Sequence, residues 1–311
     1  MFTIFDLEAD RFARETISRH MAFDRGEWTT QSLRLHQQEE LRRTLRYVLE
    51  NSPFYASHLR EYADAIDQLM LEDLGRLPFT TKEDLRASGT KMLSRPIRDG
   101  WVFYETTGTT GKATPCPRNN TDSTVTNTAL TVNYASVLES HPGKHLIGIM
   151  GPTELHSTGD AFGEVFRNLG HCVAKMWPHS PVVGYRRAIE VMREFGVTAL
   201  VCTPGMAMSL AQESRRLGLS PVTDFDLSFI MVVGELVTPA LLRNIGTIWS
   251  AEVYNCMYAS QEASILAVIR DDHNLRTVPL NNFYEVIDPD SGGRVPAGPD
   301  GAREGELVIT H

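Results

Sequence analysis

The residues whose types best suit chemistry lie in one Thr/Gly-rich segment of this sequence, Thr106-Thr107-Gly108-Thr109-Thr110-Gly111-Lys112. Its glycines allow close backbone approach and can turn N–H groups outward as an anion-binding nest, the hydroxyls add donors, and the lysine adds a positive charge. That combination suits a polyphosphate. It is not a Walker A loop, because Thr106 replaces the first glycine of that motif and Ala113 follows the lysine. On residue types alone, an exposed polar hairpin fits equally well.

Three further candidates follow apolar, strand-like runs. Glu262 closes the segment that begins at Met257, and a carboxylate just beyond a strand can hold Mg²⁺, although such residues are more often simple surface carboxylates. Gly234 and Glu235 follow a second run and could form a plain strand-to-helix turn. His156 follows a third run and could either polarise a carboxylate or cap a loop.

Two other reaction classes lack their motifs. The four cysteines, Cys116, Cys172, Cys202 and Cys256, form no C-x-x-C pair, so neither a zinc knuckle nor a redox dithiol is expected. Cys172 and Cys202 lie in strand-like runs and are expected to be small core residues. The sequence has no G-x-S-x-G segment, so no hydrolase triad is proposed.

Composition narrows the class of protein further. The 311 residues are 42% hydrophobic and 22% charged, which is enough to build a sizeable core. The formal net charge of −9 argues against an extended nucleic-acid surface. No apolar run approaches the roughly 20 residues of a membrane helix, and Asp6, Glu8 and Asp10 stand where a signal peptide would be basic and then apolar. A cytoplasmic protein is expected.

The elements that must position these candidates differ along the chain. The first hundred residues are mainly helical in pattern: one apolar face recurs over 32–50 and stops before Pro53, and Thr80 with Glu83 has the spacing of a capping box. Strands then alternate with helices. The strands are expected at 145–150, 171–176, 198–202, 227–233 and 252–258, and the helices at 160–169, 185–195, 206–217 and 239–249, with Thr238 and Pro239 starting the last helix.

This alternation predicts an α/β fold in which βαβ units form a parallel sheet with flanking helices. Because ligands bind such sheets at the carboxyl ends of the strands, the segments of interest are 151–159, 203–205, 234–237 and 258–262. Short strands at 265–269, 283–287 and 306–310 predict a small antiparallel β subdomain. The expected domains are a helical packing region over 1–100, a nucleotide- and substrate-binding α/β core over 101–262, and the β subdomain over 263–311.

Taken in order, these segments resemble the adenylate-forming superfamily of acyl-CoA synthetases and adenylation domains, and above all its phenylacetate–CoA ligase branch. The Thr/Gly/Lys loop is similar to that branch's [ST]-[ST]-G-T-T-G-K-P-T motif, with Ala113 in place of the proline. Segment 195–204 resembles F-G-x-T-x-L-x-x-T-P, and 258–262 resembles Y-G-x-[ST]-E. Gly234-Glu235 stands at the family's G-x-E, and 285–289 and 305–310 resemble its late strands.

The resemblance implies a two-step reaction. A carboxylic acid, aryl or otherwise compact, reacts with Mg·ATP to give an acyl-adenylate and pyrophosphate, and CoA or another thiol or an amine then takes the acyl group. Thr106 to Lys112 would bind the β,γ-phosphates, and Glu262 would bind Mg²⁺; Lys112 and Glu262 are the expected catalytic residues. The nucleotide site would further include Gly234, Glu235, Asn255, Cys256, Met257, Tyr258, Ala259 and Gln261, with Tyr258 stacking on the base. His156, Gly159, Asp160 and Met257 would face the acid.

Three departures from the family leave alternatives open. Ala259 replaces the motif glycine, and Gln261 replaces the motif hydroxyl. The sequence also stops before the family's ribose-binding aspartate, hinge and lysine-bearing C-terminal domain, so we expect residues 1–311 to form adenylate slowly and transfer nothing. A catalytically silent carboxylate- or nucleotide-binding module is the alternative function, and a nucleotide kinase is a weaker one. The expected partners are small molecules, with no nucleic acid and no membrane, and a homodimer is left open.

Overall fold

The computed structural model describes residues 6–106 and 113–311. Its helices are α1 Leu7–Asp24, α2 Thr30–Asn51, α3 Pro53–His58, α4 Lys82–Ser88, α5 Asn120–Ser140, α6 Ser157–Asn168, α7 Gly184–Glu194, α8 Pro204–Arg216 and α9 Pro239–Trp249. Its strands are β1 Val102–Glu105, β2 Pro115–Arg118, β3 Leu146–Ile149, β4 Cys172–Lys175, β5 Ala199–Cys202, β6 Phe229–Val232, β7 Glu252–Asn255, β8 Met257–Ser260, β9 Ser264–Ile269, β10 Leu275–Thr277, β11 Phe283–Ile287 and β12 Glu306–Thr310. Short 3₁₀ segments occupy Arg60–Gln68, Leu71–Arg76, Gly89–Met92 and Ile97–Asp99.

The chain divides into two compact units, each built from segments that are distant in sequence. The first unit joins the chain up to His20 to Thr121–Thr277, and the second joins Met21–Asn120 to Val278–His311. The three-part division expected from the sequence follows composition along the chain instead, and it stays a prediction.

In the second unit, helix α2 organises the core. It begins after Thr29, which forms a reciprocal capping box with Ser32, and it ends at Asn51 before proline, as the pattern over 32–50 predicts. Its apolar face packs against the 3₁₀ segments that follow. The buried side chains of this core are Leu41, Leu45, Leu59, Ile66, Leu69, Leu71 and Leu74. Two antiparallel pairs, β1 with β2 and β11 with β12, complete the strands of this unit, and the last two have the predicted bounds.

The start of α4 differs from the prediction by one residue. Thr81, and not Thr80, is the N-cap, since its hydroxyl accepts a hydrogen bond from the Asp84 N–H while the Asp84 carboxylate accepts one from the Thr81 N–H. Both threonines have an acidic residue three positions later, so spacing alone could not decide which of the two is the N-cap.

The first unit confirms the predicted fold class. Its five-stranded sheet has the order β4-β3-β5-β6-β7, and every neighbouring pair is parallel. All residues of β5 and β6 are buried, which explains why these strands are continuous apolar runs in the sequence. Helices α6 to α9 occupy the predicted positions within a few residues. Trp249, at the end of α9, is buried in the core and donates its indole N–H to the Ala207 carbonyl of α8.

The predicted strand over 252–258 divides into two strands of different sheets. Strand β7 ends at Asn255, and β8 starts at Met257 in an antiparallel sheet of order β10-β9-β8. Cys256 lies between them: its N–H donates to the Val232 carbonyl of the parallel sheet, and its carbonyl accepts from the Ile269 N–H of the antiparallel sheet. Residues 263–311 therefore contribute strands to two antiparallel sheets, β10-β9-β8 and β11-β12.

The sequence analysis assigned no element to the segment that forms α5. This helix buries polar as well as apolar side chains, among them Thr126, Asn127 and Leu130, so it has no apolar stripe to detect. A second difference concerns Cys172, which is exposed at the start of edge strand β4, whereas Cys202 is buried as expected. Among the described residues, no helix has the length and apolar character needed to cross a membrane.

Candidate functional site

The topology of the first unit directs attention to the carboxyl ends of β3 and β5. With β3 numbered first, the strand order is the 2-1-3-4-5 order of doubly wound sheets, so the connections leave β3 and β5 in opposite directions. Ligands bind such sheets in the crevice that this divergence opens. The β3 loop leads to His156, the β5 loop begins at Thr203, and the neighbouring β6 loop contains Gly234 and Glu235.

Glu235 is held at the amino end of α8. Its carboxylate accepts a 3.0 Å hydrogen bond from the Gly205 N–H, the second residue of that helix. Gly205 permits this approach, because a Cβ at that position would lie 3.3 Å from both carboxylate oxygens. Gly234, at φ +85°, supplies the left-handed backbone conformation that turns the chain there. Glu235, which was predicted to contact the nucleotide, therefore caps the amino end of α8 in this structure.

His156 is the N-cap of α6. Its Nδ1 accepts hydrogen bonds from the Thr158 N–H at 3.2 Å and from the Thr158 hydroxyl at 2.8 Å, so the proton of the neutral ring lies on Nε2. Burial lowers the pKa of this imidazole, because the charged form loses solvation. Capping, one of the two roles left open by the sequence, is therefore observed, and Nε2–H is the second hydrogen-bonding group of the ring.

The next residue connects this helix to the turn before β9. The Ser157 hydroxyl donates a 2.6 Å hydrogen bond to Oε1 of Gln261, across 104 residues of sequence. Two groups of predicted residues, the loop facing the acid and the motif that ends at Glu262, are thereby brought together. Gln261 replaces a hydroxyl of the family motif, and its longer side chain makes this contact.

Glu262 lies half-buried in the same turn. The turn is held by the Ser260 hydroxyl, which accepts a hydrogen bond from the Ala263 N–H at 2.9 Å, and by Ser264, whose hydroxyl lies 2.5 Å from that of Thr126. Within the described part of the chain, the Glu262 carboxylate makes no hydrogen bond or ion pair. It is available as an oxygen ligand.

The predicted nucleotide residues near β8 differ in exposure. Tyr258 is 52% exposed, so its ring can stack on a ligand. Asn255, Met257 and Ala259 are partly buried. Cys256 is fully buried, and desolvation raises the pKa of its thiol to about 12. The thiol is therefore a core group, and the two backbone groups of Cys256 are engaged in the two sheets.

Gly159 and Asp160 lie in the first turn of α6. Gly159 is buried, and a Cβ there would lie 2.6 Å from the Thr153 side chain, so only glycine lets the β3 loop pack on the helix. Asp160 accepts a 2.7 Å hydrogen bond from the Lys175 ammonium at the end of β4. Sequence reasoning missed Lys175, although a lysine at the carboxyl end of a predicted strand was the available signal.

In the second unit, β1 and β2 form the base of the Thr/Gly-rich segment. Beyond the last strand pair, Thr106 and Thr114 continue the ladder, because the Thr106 N–H donates to the Thr114 carbonyl and the Thr106 hydroxyl accepts from the Thr114 N–H. Thr106 and Thr114 therefore extend the pairing of β1 with β2 by one step. The other predicted phosphate-binding residues, 107–112, lie outside the described residues.

Three histidines lie near the amino ends of the parallel strands. Sequence analysis did not single them out. His141 and His145 have H-x-x-x-H spacing, yet the described residues contain no cluster of three or more potential metal ligands. His145 Nε2 lies 2.8 Å from the His141 carbonyl, and His141 Nε2 lies 3.2 Å from the Glu252 carboxylate. His171 Nδ1 accepts the His145 N–H at 3.1 Å. Each of these histidines is therefore engaged with another protein group.

The curated relatives matched in sequence share one name, phenylacetate-coenzyme A ligase. No protein-family model matches the chain. Phenylacetate-coenzyme A ligases from Thermus thermophilus and Pseudomonas putida are each 28% identical to it over 90% of its length, and that from Aromatoleum evansii is 26% identical over 89%. The chain spans 62% of the length of each of these relatives.

Solved structures of 2-hydroxyisobutyryl-CoA ligase share the fold. The crystal structure of that ligase with 2-HIB-AMP and CoA superposes with a TM-score of 0.75, at 23% identity, over 91% of this chain and 60% of the ligase. Its postadenylation state with 2-HIB-AMP gives 0.74 at 22% identity, over 90% of this chain and 59% of the ligase. In sequence the chain is similar to phenylacetate-coenzyme A ligases, and in fold it is similar to 2-hydroxyisobutyryl-CoA ligase.

Proposed function

We propose that the protein activates a carboxylic acid with ATP to an acyl-adenylate and passes the acyl group to CoA or another thiol or an amine. The observation that carries this proposal is the convergence of the α6 N-cap, His156, with the turn that bears Glu262, through the Ser157–Gln261 hydrogen bond. An acid beside His156 and a phosphate beside Glu262 would thus be neighbours. The relatives support the same chemistry, since they are named as acid–CoA ligases.

In the proposed first step, a carboxylate oxygen of the acid attacks the α-phosphorus of ATP. The bond between that phosphorus and the bridging oxygen breaks, and pyrophosphate leaves with the electron pair. Such chemistry needs positioned donors and charge more than a covalent nucleophile. His156 Nε2–H would donate to the acid, Gly159 and Asp160 would shape its site, and Tyr258 would stack on the base.

The nucleotide of this reaction implies Mg²⁺, and Glu262 fits it. Mg²⁺ prefers oxygen ligands and is commonly held by one or two carboxylates together with phosphates and water. The Glu262 carboxylate has no competing partner among the described residues. Bound there, the cation would supply neutralisation of phosphate charge. Thr106 and residues 107–112, including Lys112, remain the predicted phosphate-binding segment.

A catalytically silent binding module is the second candidate. Ala259 and Gln261 favour it, because both depart from the motif and Gln261 is committed to Ser157. Of the expected acceptors, CoA is supported by the names of the relatives. The acid, a cytoplasmic location and a homodimer stay predictions.

The test is carboxylate-dependent exchange of labelled pyrophosphate into ATP over a panel of aryl and short-chain acids. We expect slow exchange by residues 1–311, because the relatives extend well beyond the matched region. The Glu262→Gln variant should exchange at least about tenfold more slowly, as expected when one charge-stabilising group is removed. Binding of AMP and acids without exchange in the protein and in longer forms of it would favour the silent module. Release of inorganic phosphate in place of pyrophosphate would indicate a kinase.

A further inference from the structure

The hydrogen bond between Ser157 and Gln261 joins two parts of the first unit that are distant in sequence. Its donor is the first residue of α6, and its acceptor lies in the turn between β8 and β9. The contact is part-buried, and the amide nitrogen of Gln261 is shielded from solvent. Since a hydrogen bond gains strength where water is excluded, this contact is suited to fixing geometry.

On each side, the bond is one residue away from a predicted site residue. Ser157 follows His156, whose ring orientation is fixed by its two hydrogen bonds to Thr158. Gln261 precedes Glu262, whose carboxylate has no partner in the described part of the chain. The orientation of Glu262 therefore depends on the turn, and the Ser157–Gln261 hydrogen bond connects the turn to α6.

The remaining contacts of the turn hold it in other directions. The hydroxyl of Ser260 closes it internally through the Ala263 N–H, and Ser264 anchors it to Thr126 of α5. We propose that Ser157 is a positioning residue: through its hydrogen bond to Gln261 it holds the Glu262 carboxylate at a fixed place beside the amino end of α6. This inference rests on the proposed function, in which that carboxylate receives Mg²⁺ with the nucleotide.

The experiment measures binding of two probes to the 311-residue chain by calorimetry. AMP without Mg²⁺ reports on the nucleotide site alone. The non-hydrolysable analogue α,β-methylene-ATP, titrated at a series of Mg²⁺ concentrations, reports how much Mg²⁺ is needed for half of the gain in affinity. In the wild type we expect AMP to bind and Mg²⁺ to tighten the analogue; Glu262→Gln should abolish that gain.

Ser157→Ala should raise the Mg²⁺ concentration for half of the gain about three- to tenfold, the range expected for loss of one neutral hydrogen bond, and leave AMP affinity within about twofold. Gln261→Met removes the acceptor while keeping a side chain of similar length, so it should raise the required Mg²⁺ concentration by the same factor. The result then does not depend on a single variant. Ser157→Thr retains the hydroxyl and should restore the wild-type requirement. Ser209→Ala, a hydroxyl removed from α8, is the matched control and should change neither probe.

Two results would overturn the inference while leaving the proposed function intact. One is an unchanged Mg²⁺ requirement in Ser157→Ala and Gln261→Met when Glu262→Gln has lost the gain. The other is an equal loss of affinity for both probes, which is the signature of a purely structural contact. A wild-type chain that binds neither AMP nor the analogue would instead contradict the proposed function itself.

Discussion

At the scale of single residues, Glu235 makes a prediction about stability. Its carboxylate accepts the Gly205 N–H at the amino end of α8, where the helix dipole favours negative charge. Replacing Glu235 by Gln should lower the free energy of unfolding by about 0.5–1 kcal/mol at low salt, because the neutral amide interacts less with the dipole. Urea denaturation at two ionic strengths measures this effect, which should shrink as salt is added.

The same helix provides the control for Glu235. Glu213 lies in the last turn of α8 and pairs with exposed Arg216 at 3.2 Å. Glu213→Gln removes the same charge at the opposite end, where the dipole disfavours it, so we expect a change near zero. Equal destabilisation by the two substitutions would show that general charge, and not the capping contact, determines the effect.

At the scale of elements, substitutions before α4 test whether Thr81, as observed, or Thr80, as predicted, is the N-cap of that helix. Thr81→Ala should destabilise the second unit by about 1 kcal/mol, because it removes the oxygen that accepts the Asp84 N–H. Thr80→Ala is the neighbouring control and should have a smaller effect, since the Thr80 hydroxyl has only a 3.3 Å contact with the Tyr55 hydroxyl. Thermal denaturation followed by circular dichroism compares them. A larger loss for Thr80→Ala would favour the frame predicted from the sequence.

Elements with a strong local signal could be predicted, and those defined by distant partners could not. The strand at 229–232 is a continuous apolar run because it is buried on both faces, and α9 starts where Thr238 precedes Pro239. Helix α5 has no such signal, since its surroundings bury threonine and asparagine together with leucine. The division of the strand at Cys256 also has no signal in the sequence, because the residues on both sides suit strands.

The candidate site shows the same limit. Position in a motif singled out Glu262, which lies in the turn between β8 and β9, and position after a predicted strand singled out His156, which follows β3. The capping bond of His156 is local and was one of the two roles considered. The contact of Ser157 with Gln261 spans 104 residues, so no local pattern could reveal it. Lys175, the partner of Asp160, did have a local signal, its position at the carboxyl end of a predicted strand, but that position does not indicate the partner.

At the scale of the whole molecule, three histidines predict how stability depends on pH. Burial is the first cause that lowers the pKa of His141, His156 and His171. For His141 the Glu252 carboxylate opposes this shift in pKa, and nearby positive groups add to it for His141 and His171. A histidine whose pKa is lower in the folded state binds fewer protons there than in the unfolded chain. Its contribution to stability is therefore present above the unfolded pKa of about 6.5 and is lost as the pH falls below that value.

Urea denaturation between pH 8 and pH 5 tests this expectation, and the midpoint should fall with acidification below about pH 6.5. His156→Asn should weaken the dependence, because asparagine accepts the N-cap hydrogen bond without titrating. His171→Gln should act in the same direction, since His171 Nδ1 accepts the His145 N–H and protonation of that nitrogen would break the bond. Stability that increases from pH 7 to pH 5.5 would contradict the assignment.

Cys256 shares its backbone between the parallel and the antiparallel sheet, which restricts how the chain can vary in length nearby. Successive side chains of a strand point to opposite faces, so one inserted or deleted residue between Cys256 and Glu262 would exchange the faces of the residues beyond it unless a bulge absorbed it, and the pairing of β8 with β9 already has a register shift between Tyr258 and Ala259. Such a change would also move Gln261 out of register with Ser157. Divergence of this region is therefore expected to proceed more readily by substitution, as at Ala259 and Gln261, than by a change of length.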